Sequence, residues 1–190
     1  MALFTGKGDD GTTKTFNCPP GKRISKNSAI AEALGSMDEV NSFLGLCKVK
    51  SKATGFSFQS KPLENIIHEI QENLFIIQAE LAGADKSLEK LKVEKMEAMI
   101  NEIEKILPPI KSFFISGGTE LASLFDVSRT LARRAERRVV AVQESLKVEE
   151  NREISEHTRA YLNRLSSMLY ALARLANHLS GIKEEPPSYK

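Results

Sequence analysis

One stretch, LASLFDVSRTLARRAERRVVAVQESL at residues 121–146, decides the fold of this 190-residue chain. Its apolar and small residues recur at helical intervals and repeat nearly by sevens, which is typical of a long bundle helix with one buried face. This stripe consists of Leu121, Leu124, Phe125, Ser128, Leu131, Ala132, Ala135, Val139, Val142 and Leu146. The other faces of the predicted helix are crowded with arginine.

Four more stretches of the chain show helical spacing. The predicted helices cover residues 29–49, 60–81, 93–107 and 162–179. Pro108 and Pro109 must end the third of these, because proline removes a donor and clashes with the preceding turn. Gly181 is a natural terminator for the last one.

The segments between these helices predict how the bundle is organised. Residues 1–27 and 51–60 lack periodicity and are rich in glycine, proline, serine and threonine, so we expect loops there. Short connections favour antiparallel neighbours, so the sequence predicts an all-α protein, a five-helix up-and-down bundle with an irregular N-terminal arm. We expect one domain over residues 1–182, with residues 1–27 as the arm, followed by a disordered polar tail at residues 183–190.

Charge and composition exclude several classes of function. The 27 lysines and arginines nearly balance the 25 aspartates and glutamates, and a net charge of +2 argues against a general binder of nucleic acid or anionic membranes. The chain has no apolar run of about 18 residues, and MALFTGKGDDG does not resemble a signal peptide. Cys18 and Cys47 are the only cysteines, which predicts free thiols and a cytoplasmic location.

Metal and covalent chemistry lack candidate residues. His68, His157 and His178 fall on separate segments with no two at ligand spacing, so a di-iron bundle site is not expected. The chain has no Gly-x-Ser-x-Gly motif, and neither cysteine has a histidine beside it in sequence. The sequence therefore identifies neither a nucleophile nor a set of metal ligands.

The arm carries a glycine-rich run, GKGDDGTT at residues 6–13. It satisfies the letters of a dinucleotide fingerprint and nearly those of a P-loop, but those motifs need a preceding buried strand and a following helix. Two interpretations stay open. The run is either a donor-rich loop that wraps an anion, with Lys7 and Lys14 nearby, or a mobile terminus.

Arg129, Arg133 and Arg137 are spaced by four and therefore share one face of the predicted helix. Like charges this close destabilise a helix, and a triphosphate would relieve the repulsion by accepting charge-assisted hydrogen bonds. The alternative is a solvated face or a set of salt bridges between subunits, with Glu136 offsetting part of the repulsion.

Two further segments carry candidate binding residues. Phe113 and Phe114 precede the turn Ser116-Gly117-Gly118, and they either contact a ligand or belong to the core. In the last helix a polar edge interrupts the apolar stripe, formed by Asn163, Ser167, Tyr170 and Arg174. Its asparagine suits an adenine or a ribose, or a hydrogen bond to a neighbouring helix.

Five blocks of sequence resemble one family in their order and spacing. They are Phe4-Thr5 with GDDGTT, GSMDEVNS at 35–42, FFISGG at 113–118, SRTLARRAERRVVAV at 128–142 and YLNRLSSMLYALAR at 161–174. On these blocks the chain resembles the PduO-type ATP:cob(I)alamin adenosyltransferases over residues 4–176. The combination of RRAERR with a later LNRLS is the most specific part.

The resemblance implies a homotrimer in which ATP, with Mg²⁺, and the corrinoid share a cleft between adjacent subunits. The implied ATP-binding residues are Thr5, Gly6, Gly8, Thr12, Thr13, Lys26, Arg133, Glu136, Arg137 and Asn163. Asp38 and Arg129 match a pair that bridges subunits. Phe113 matches the aromatic that excludes the lower ligand of cobalt, and Phe114 is the adjacent choice. The implied catalytic residues are Phe113, Arg133, Asp38 and Arg129.

The predicted function is transfer of the 5′-deoxyadenosyl group of ATP to cob(I)alamin, giving adenosylcobalamin and tripolyphosphate. Cob(I)alamin is a very strong nucleophile, so the protein has only to align two substrates and compensate the charge of the leaving group. A corrinoid reductase and a cobalamin-dependent mutase are the candidate partners.

Two alternatives remain open. One is a non-catalytic trimer that binds ATP or corrinoid as a sensor or a cofactor-delivery partner, and the other is a plain helical scaffold. The first is favoured by Asp10 and Ser116, where the family usually has lysine and proline. Asp126 and Ser167 also depart from the usual histidine and aspartate.

Overall fold

Five helices dominate the computed structural model, which describes residues 3–149 and 153–189. The elements in chain order are β1 (Thr12–Thr13), β2 (Ile24–Ser25), α1 (Ala29–Thr54), β3 (Ser57–Phe58), β4 (Lys61–Pro62), α2 (Leu63–Leu81), α3 (Lys90–Ile106), α4 (Glu120–Glu149) and α5 (Glu156–Leu179). The strands form two short antiparallel pairs, β1 with β2 and β3 with β4. The predicted all-α class is confirmed.

Contacts between side chains fix the directions of the helices. Lys50 pairs with Glu120 at 2.8 Å and Glu32 with Arg138 at 3.5 Å, so the numbering of α1 and α4 runs in opposite senses. Two contacts each show that α5 is antiparallel to α4 (Glu136–Asn163 and Thr119–Asn177) and to α2 (Asn73–Tyr161 and Glu80–Thr158). Two more, Glu97–Arg164 and Pro108–Arg174, relate α5 to α3 and its C-terminal end. Of these four pairs, only α3 and α5 are parallel. The helix directions therefore alternate from α1 to α5, and the up-and-down prediction is confirmed.

The stripe that predicted α4 faces the core. Phe125, Ala135 and Val139 are at most 1% exposed, while Leu124 and Leu131 pack at its margin. Ser128 is also fully buried, because its hydroxyl donates to the carbonyl of Leu124 at 2.9 Å. The stripe is therefore the buried face that the spacing predicts.

The first helix is longer than the sequence predicts. Residues 51–54, expected to be loop, continue α1. Ser51 is fully buried there, and the hydroxyls of Ser51 and Thr54 are satisfied by backbone carbonyls three residues earlier, at 2.9 and 2.7 Å. Gly55 ends the helix with a left-handed φ of 65°. Gln59 and Ser60 then form the turn of the β3–β4 hairpin, so α2 begins at Leu63 rather than at Ser60.

The last helix starts earlier than its apolar stripe, at Glu156. Its first turn is held by Glu80 of α2, whose carboxylate accepts from the amide of Ser155 at 2.6 Å and from the hydroxyl of Thr158 at 2.5 Å. A carboxylate is favourable there because the amides of a first helical turn carry partial positive charge. This contact fixes the start of α5 against the end of α2.

The C-terminal tail, which its composition predicts to be disordered, contacts the bundle through a charged side chain. Glu184 forms an ion pair with Arg174 of α5 at 2.8 Å. Among the described residues, no helix is long and apolar enough to span a membrane.

Candidate active site

A cavity of about 580 Å³ lies where α4 and α5 meet the loop between α3 and α4. This volume is within the range of small-molecule sites in proteins. Residues of the aromatic loop, which we define as residues 107–119, form one wall, and polar side chains of the two helices form the other. The lining includes Phe113, Phe114, Ser116, Asp126, Arg129, Arg133, Ser167, Tyr170 and Arg174.

The five arginines of α4 divide by helix face. Arg134 and Arg138 form ion pairs with Glu39 and Glu32 of α1, the second at 3.5 Å. Arg133 and Arg137 are exposed and form no ion pair or hydrogen bond with any side chain in residues 3–146 or 153–189. Arg134 and Arg138 are therefore paired within the chain and not between subunits, whereas Arg133 and Arg137 have no such partner among the described residues.

Arg129 sits deeper in the cavity wall than Arg133. Its Nε lies 3.5 Å from a carboxylate oxygen of Asp126 but makes no hydrogen bond, and its guanidinium is 6.0 Å from the ring of Tyr170. Burial raises the pKa of Tyr170 above its usual value, so the phenol stays neutral. The carboxylate of Asp126 offsets part of the charge of Arg129.

The polar edge of α5 meets α4 at Glu136. The side-chain amide of Asn163 donates to the Glu136 carboxylate at 3.1 Å, and Asn163 accepts from Arg164 at 3.2 Å. Arg164 is held in turn by Glu97 of α3 at 2.9 Å. This chain of contacts keeps the Glu136 carboxylate turned toward α5, so it does not neutralise Arg133 or Arg137. The structure thus brings together two of the residues that the resemblance assigns to ATP.

The arm is a separate, internally bonded unit. Thr12 is its centre: its amide and hydroxyl donate to the carboxylate of Asp10 at 3.0 and 2.7 Å, and Arg23 donates to its hydroxyl at 2.6 Å. These bonds from Thr12 hold the pKa of Asp10 below its usual value. Lys26 donates from Nζ to the carbonyl of Gly8 at 2.9 Å, which folds the glycine-rich run back on β2. Thr12 and Thr13 belong to β1, so the predicted loop contains a short strand pair.

The residues assigned to the arm do not line the cavity of the same chain. Thr5, Gly6, Gly8 and Lys26 lie with β1 and β2, and the arm is tied to the end of α2 by the bond from the amide of Phe16 to the carbonyl of Ala82 at 2.8 Å. Asp38 lies on a different surface, beside Phe75 of α2, and forms no ion pair with Arg129 within the described chain. One chain therefore assembles only part of the predicted site.

The aromatic loop holds its two phenylalanines differently. The side chain of Phe113 is 78% exposed, whereas the ring of Phe114 lies 5.2 Å from the guanidinium of Arg174. Near the end of the loop, Gly118 has a φ of 99°, and the side-chain amide of Asn177 leaves no room there for a Cβ. Asn177 bonds the loop through the carbonyl of Gly117 and the amide of Thr119, at 2.9 and 3.0 Å.

Sequence reasoning missed the way this loop is anchored. Arg174 belongs to the predicted polar edge, but its burial and its pairing with Glu184 were not foreseen. The available signal was the arginine inside the apolar run LYALARLANHL. A charged side chain on a buried helix face needs an oppositely charged or hydrogen-bonding partner. Within the described residues, no group of three or more His, Cys, Asp or Glu side chains is arranged to hold a metal ion.

Within the described part of the chain, Arg133, which has no ion-pair partner, and the exposed Phe113 line one cavity of a helical bundle, an arrangement that suits an anionic organic molecule. The family model for cobalamin adenosyltransferase matches residues 3–176, and the chain therefore belongs to that family. The resemblance seen in the sequence is confirmed.

Curated relatives agree with this assignment. A corrinoid adenosyltransferase of Bacillus subtilis (strain 168) is 38% identical over 187 residues, covering 96% of this chain and 90% of the relative. The corrinoid adenosyltransferase PduO of Citrobacter freundii is 36% identical over 186 residues and covers 94% of this chain, but this chain spans only 50% of that relative's length.

Solved structures show the same fold. A variant of the PduO-type ATP:corrinoid adenosyltransferase of Lactobacillus reuteri, complexed with cobalamin and ATP, aligns with a TM-score of 0.83 at 30% identity, covering 98% of this chain and 97% of that one. A second variant of that protein, complexed with ATP, gives 0.81 at 32% identity, covering 97% and 99%.

Proposed function

We propose that this chain transfers the 5′-deoxyadenosyl group of ATP to cob(I)alamin, giving adenosylcobalamin and tripolyphosphate. The observation that carries the proposal is the division of the arginines of α4. Within the described residues, Arg133 lines the cavity and has no ion-pair partner, and Arg137 follows it one turn along the same face. The neighbouring Arg134 and Arg138 are paired with α1. The names of the relatives and the ligands of the Lactobacillus reuteri complexes support it.

The reaction forms a bond between cobalt and C5′ of the ribose and breaks the bond from C5′ to the triphosphate oxygen. The electron pair of the new bond comes from cob(I)alamin, and tripolyphosphate leaves with the pair of the broken bond. No side chain has to take up a proton, so neither Asp126 nor Glu184, the carboxylates that line the cavity, is needed as a general base. Arg133 and Arg137 compensate the charge of the departing triphosphate, and the cavity excludes water from the reduced corrinoid.

The position of Phe113 supports a role against the corrin ring. Its side chain is free, whereas Phe114 is engaged by Arg174, so Phe113 is the better choice for the aromatic that excludes the lower ligand of cobalt. A cobalt without that ligand is easier to reduce to the cob(I) state.

A homotrimer would complete the site. Asp38 and Arg129 lie on different surfaces of one chain, so a contact between them has to come from two subunits. The arm also lies away from the cavity of its own chain, so it can line only the cavity of a neighbouring subunit. Arg129 has an Nε without a hydrogen-bond partner, which a carboxylate from another subunit would satisfy. The proposed ATP site therefore joins Thr5, Gly6, Gly8, Thr12, Thr13 and Lys26 of one chain to Arg133, Glu136, Arg137 and Asn163 of the next.

Mg²⁺ would bind mainly to the triphosphate. The described residues offer no preformed carboxylate cluster for it, and Mg²⁺ usually binds through substrate phosphates and keeps several waters. The two cysteines are unpaired, which supports the cytoplasm as the location. A corrinoid reductase and a cobalamin-dependent mutase remain the proposed partners.

The test is turnover under strong reduction. Purified protein with ATP, Mg²⁺ and cob(II)alamin is expected to shift the cob(II)alamin absorbance toward the four-coordinate form and, after addition of a strong reductant, to form adenosylcobalamin and tripolyphosphate. Phe113→Ala is expected to abolish the absorbance shift. Phe114→Ala is the comparison, because it removes the adjacent phenylalanine that is not assigned to the corrin ring. Binding of ATP and corrinoid without transfer would instead favour the carrier or sensor.

A further inference from the structure

The C-terminal segment that follows α5 contacts the aromatic loop. The carbonyl of Glu185 accepts a hydrogen bond from the amide of Ile115 at 2.9 Å, two residues beyond Phe113. One residue earlier, the carboxylate of Glu184 accepts from Nε and Nη2 of Arg174, at 2.9 and 2.8 Å. The segment therefore lies between α5 and the loop and bonds to both.

Arg174 is the point where these contacts converge. It is only 3% exposed, and besides Glu184 it donates to the carbonyl of Pro108 at 2.8 Å and stacks its guanidinium 5.2 Å from the ring of Phe114. A buried guanidinium must be paired, since an isolated buried charge is costly. Glu184 provides the carboxylate that makes this arrangement stable.

The loop is thus fixed at its start, its middle and its end. Arg174 holds the carbonyl of Pro108, the tail holds the amide of Ile115, and Asn177 holds Gly117 and Thr119. Phe113 lies between the first two of these points, and its own side chain makes no such contact. Its position is therefore set by the backbone on either side of it.

We propose that Glu184, through its ion pair with Arg174, is a positioning residue that holds Phe113 against the corrinoid. This inference rests on the proposed function, because it assigns the corrinoid to the cavity that the loop lines. Glu184 does not touch the reacting atoms. It acts through the Arg174 guanidinium and through the backbone bond that follows it at Glu185.

Glu184→Gln tests the ion pair and Glu185→Gln is its matched control. Both changes remove one negative charge from the tail, but the side chain of Glu185 is exposed and only its backbone carbonyl, which the substitution keeps, contacts the loop. Two measurements compare them: hydrogen exchange of the peptide that covers residues 107–119, and the KM values for ATP and for the corrinoid determined separately.

Glu184→Gln is expected to speed exchange in the loop peptide and to raise the KM for the corrinoid by roughly tenfold, with the KM for ATP unchanged. Glu185→Gln is expected to match the unsubstituted protein in both measurements. The four-coordinate absorbance of bound cob(II)alamin should weaken only in Glu184→Gln, since a displaced Phe113 readmits a lower ligand.

Three outcomes would overturn the inference: equal exchange in the two variants, an unchanged corrinoid KM in Glu184→Gln, or equal increases in both KM values. The exchange and absorbance measurements need no turnover. A failure of the proposed transfer reaction is therefore distinguishable from a failure of the positioning role.

Discussion

Two pairs of arginines lie on the same helix, α4, but their surroundings differ. Arg134 and Arg138 face α1 and are paired with its glutamates, whereas Arg133 and Arg137, each one residue earlier, face away from α1. A step of one residue rotates a side chain by about 100° around the helix, which is enough to separate a paired face from an open one. The helix face, and not the residue type, therefore decides which of these arginines are paired within the chain.

The largest expected effect comes from Arg133→Ala, which tests the open face. Loss of charge-assisted bonds to the triphosphate should weaken ATP or transition-state binding by roughly 2–3 kcal/mol, or about 30- to 150-fold in kcat/KM. Steady-state kinetics with ATP as the varied substrate measures it. Full activity in this variant would show that the triphosphate binds elsewhere.

A smaller effect is expected for Asn163→Ala. The variant removes a side chain of the proposed ATP site and also frees the Glu136 carboxylate from its 3.1 Å bond, so that this carboxylate can turn toward Arg133. We expect a loss of about 1 kcal/mol, or roughly a fivefold higher KM for ATP. Asn101→Ala, which truncates an exposed asparagine on α3, is the control and should leave the KM unchanged. An ATP KM that moves equally in both variants would contradict the role given to Glu136.

The smallest effect is expected for Arg134→Ala, which tests the paired face. Its partner Glu39 is half exposed, so the ion pair is screened by solvent and should contribute only about 0.2–1 kcal/mol to the free energy of unfolding. Denaturant unfolding measures this loss, while the KM for ATP should match that of the unsubstituted protein. A large increase in that KM would remove the distinction between the two faces.

The sequence predicted the helices and the split between core and surface well, because hydrophobic periodicity reports burial directly. It failed where polar side chains bond locally to the backbone. Ser51 and Thr54 are of residue types common in loops but continue α1, where carbonyls of the preceding turn satisfy their hydroxyls. Glu80 gave no signal of its contact with the start of α5, because its partners lie 75 and 78 residues away.

By itself, the sequence determined a five-helix bundle, the family, and a set of arginines on one helix that are too close together without counterions. These properties depend on spacing along the chain, and spacing is what a sequence records. Only the tertiary structure decided which arginines α1 neutralises and that Arg174 is buried against the tail. Those outcomes depend on which charged groups meet across the bundle. The energy of an ion pair depends on the distance between the charges in space and not on their separation in the sequence.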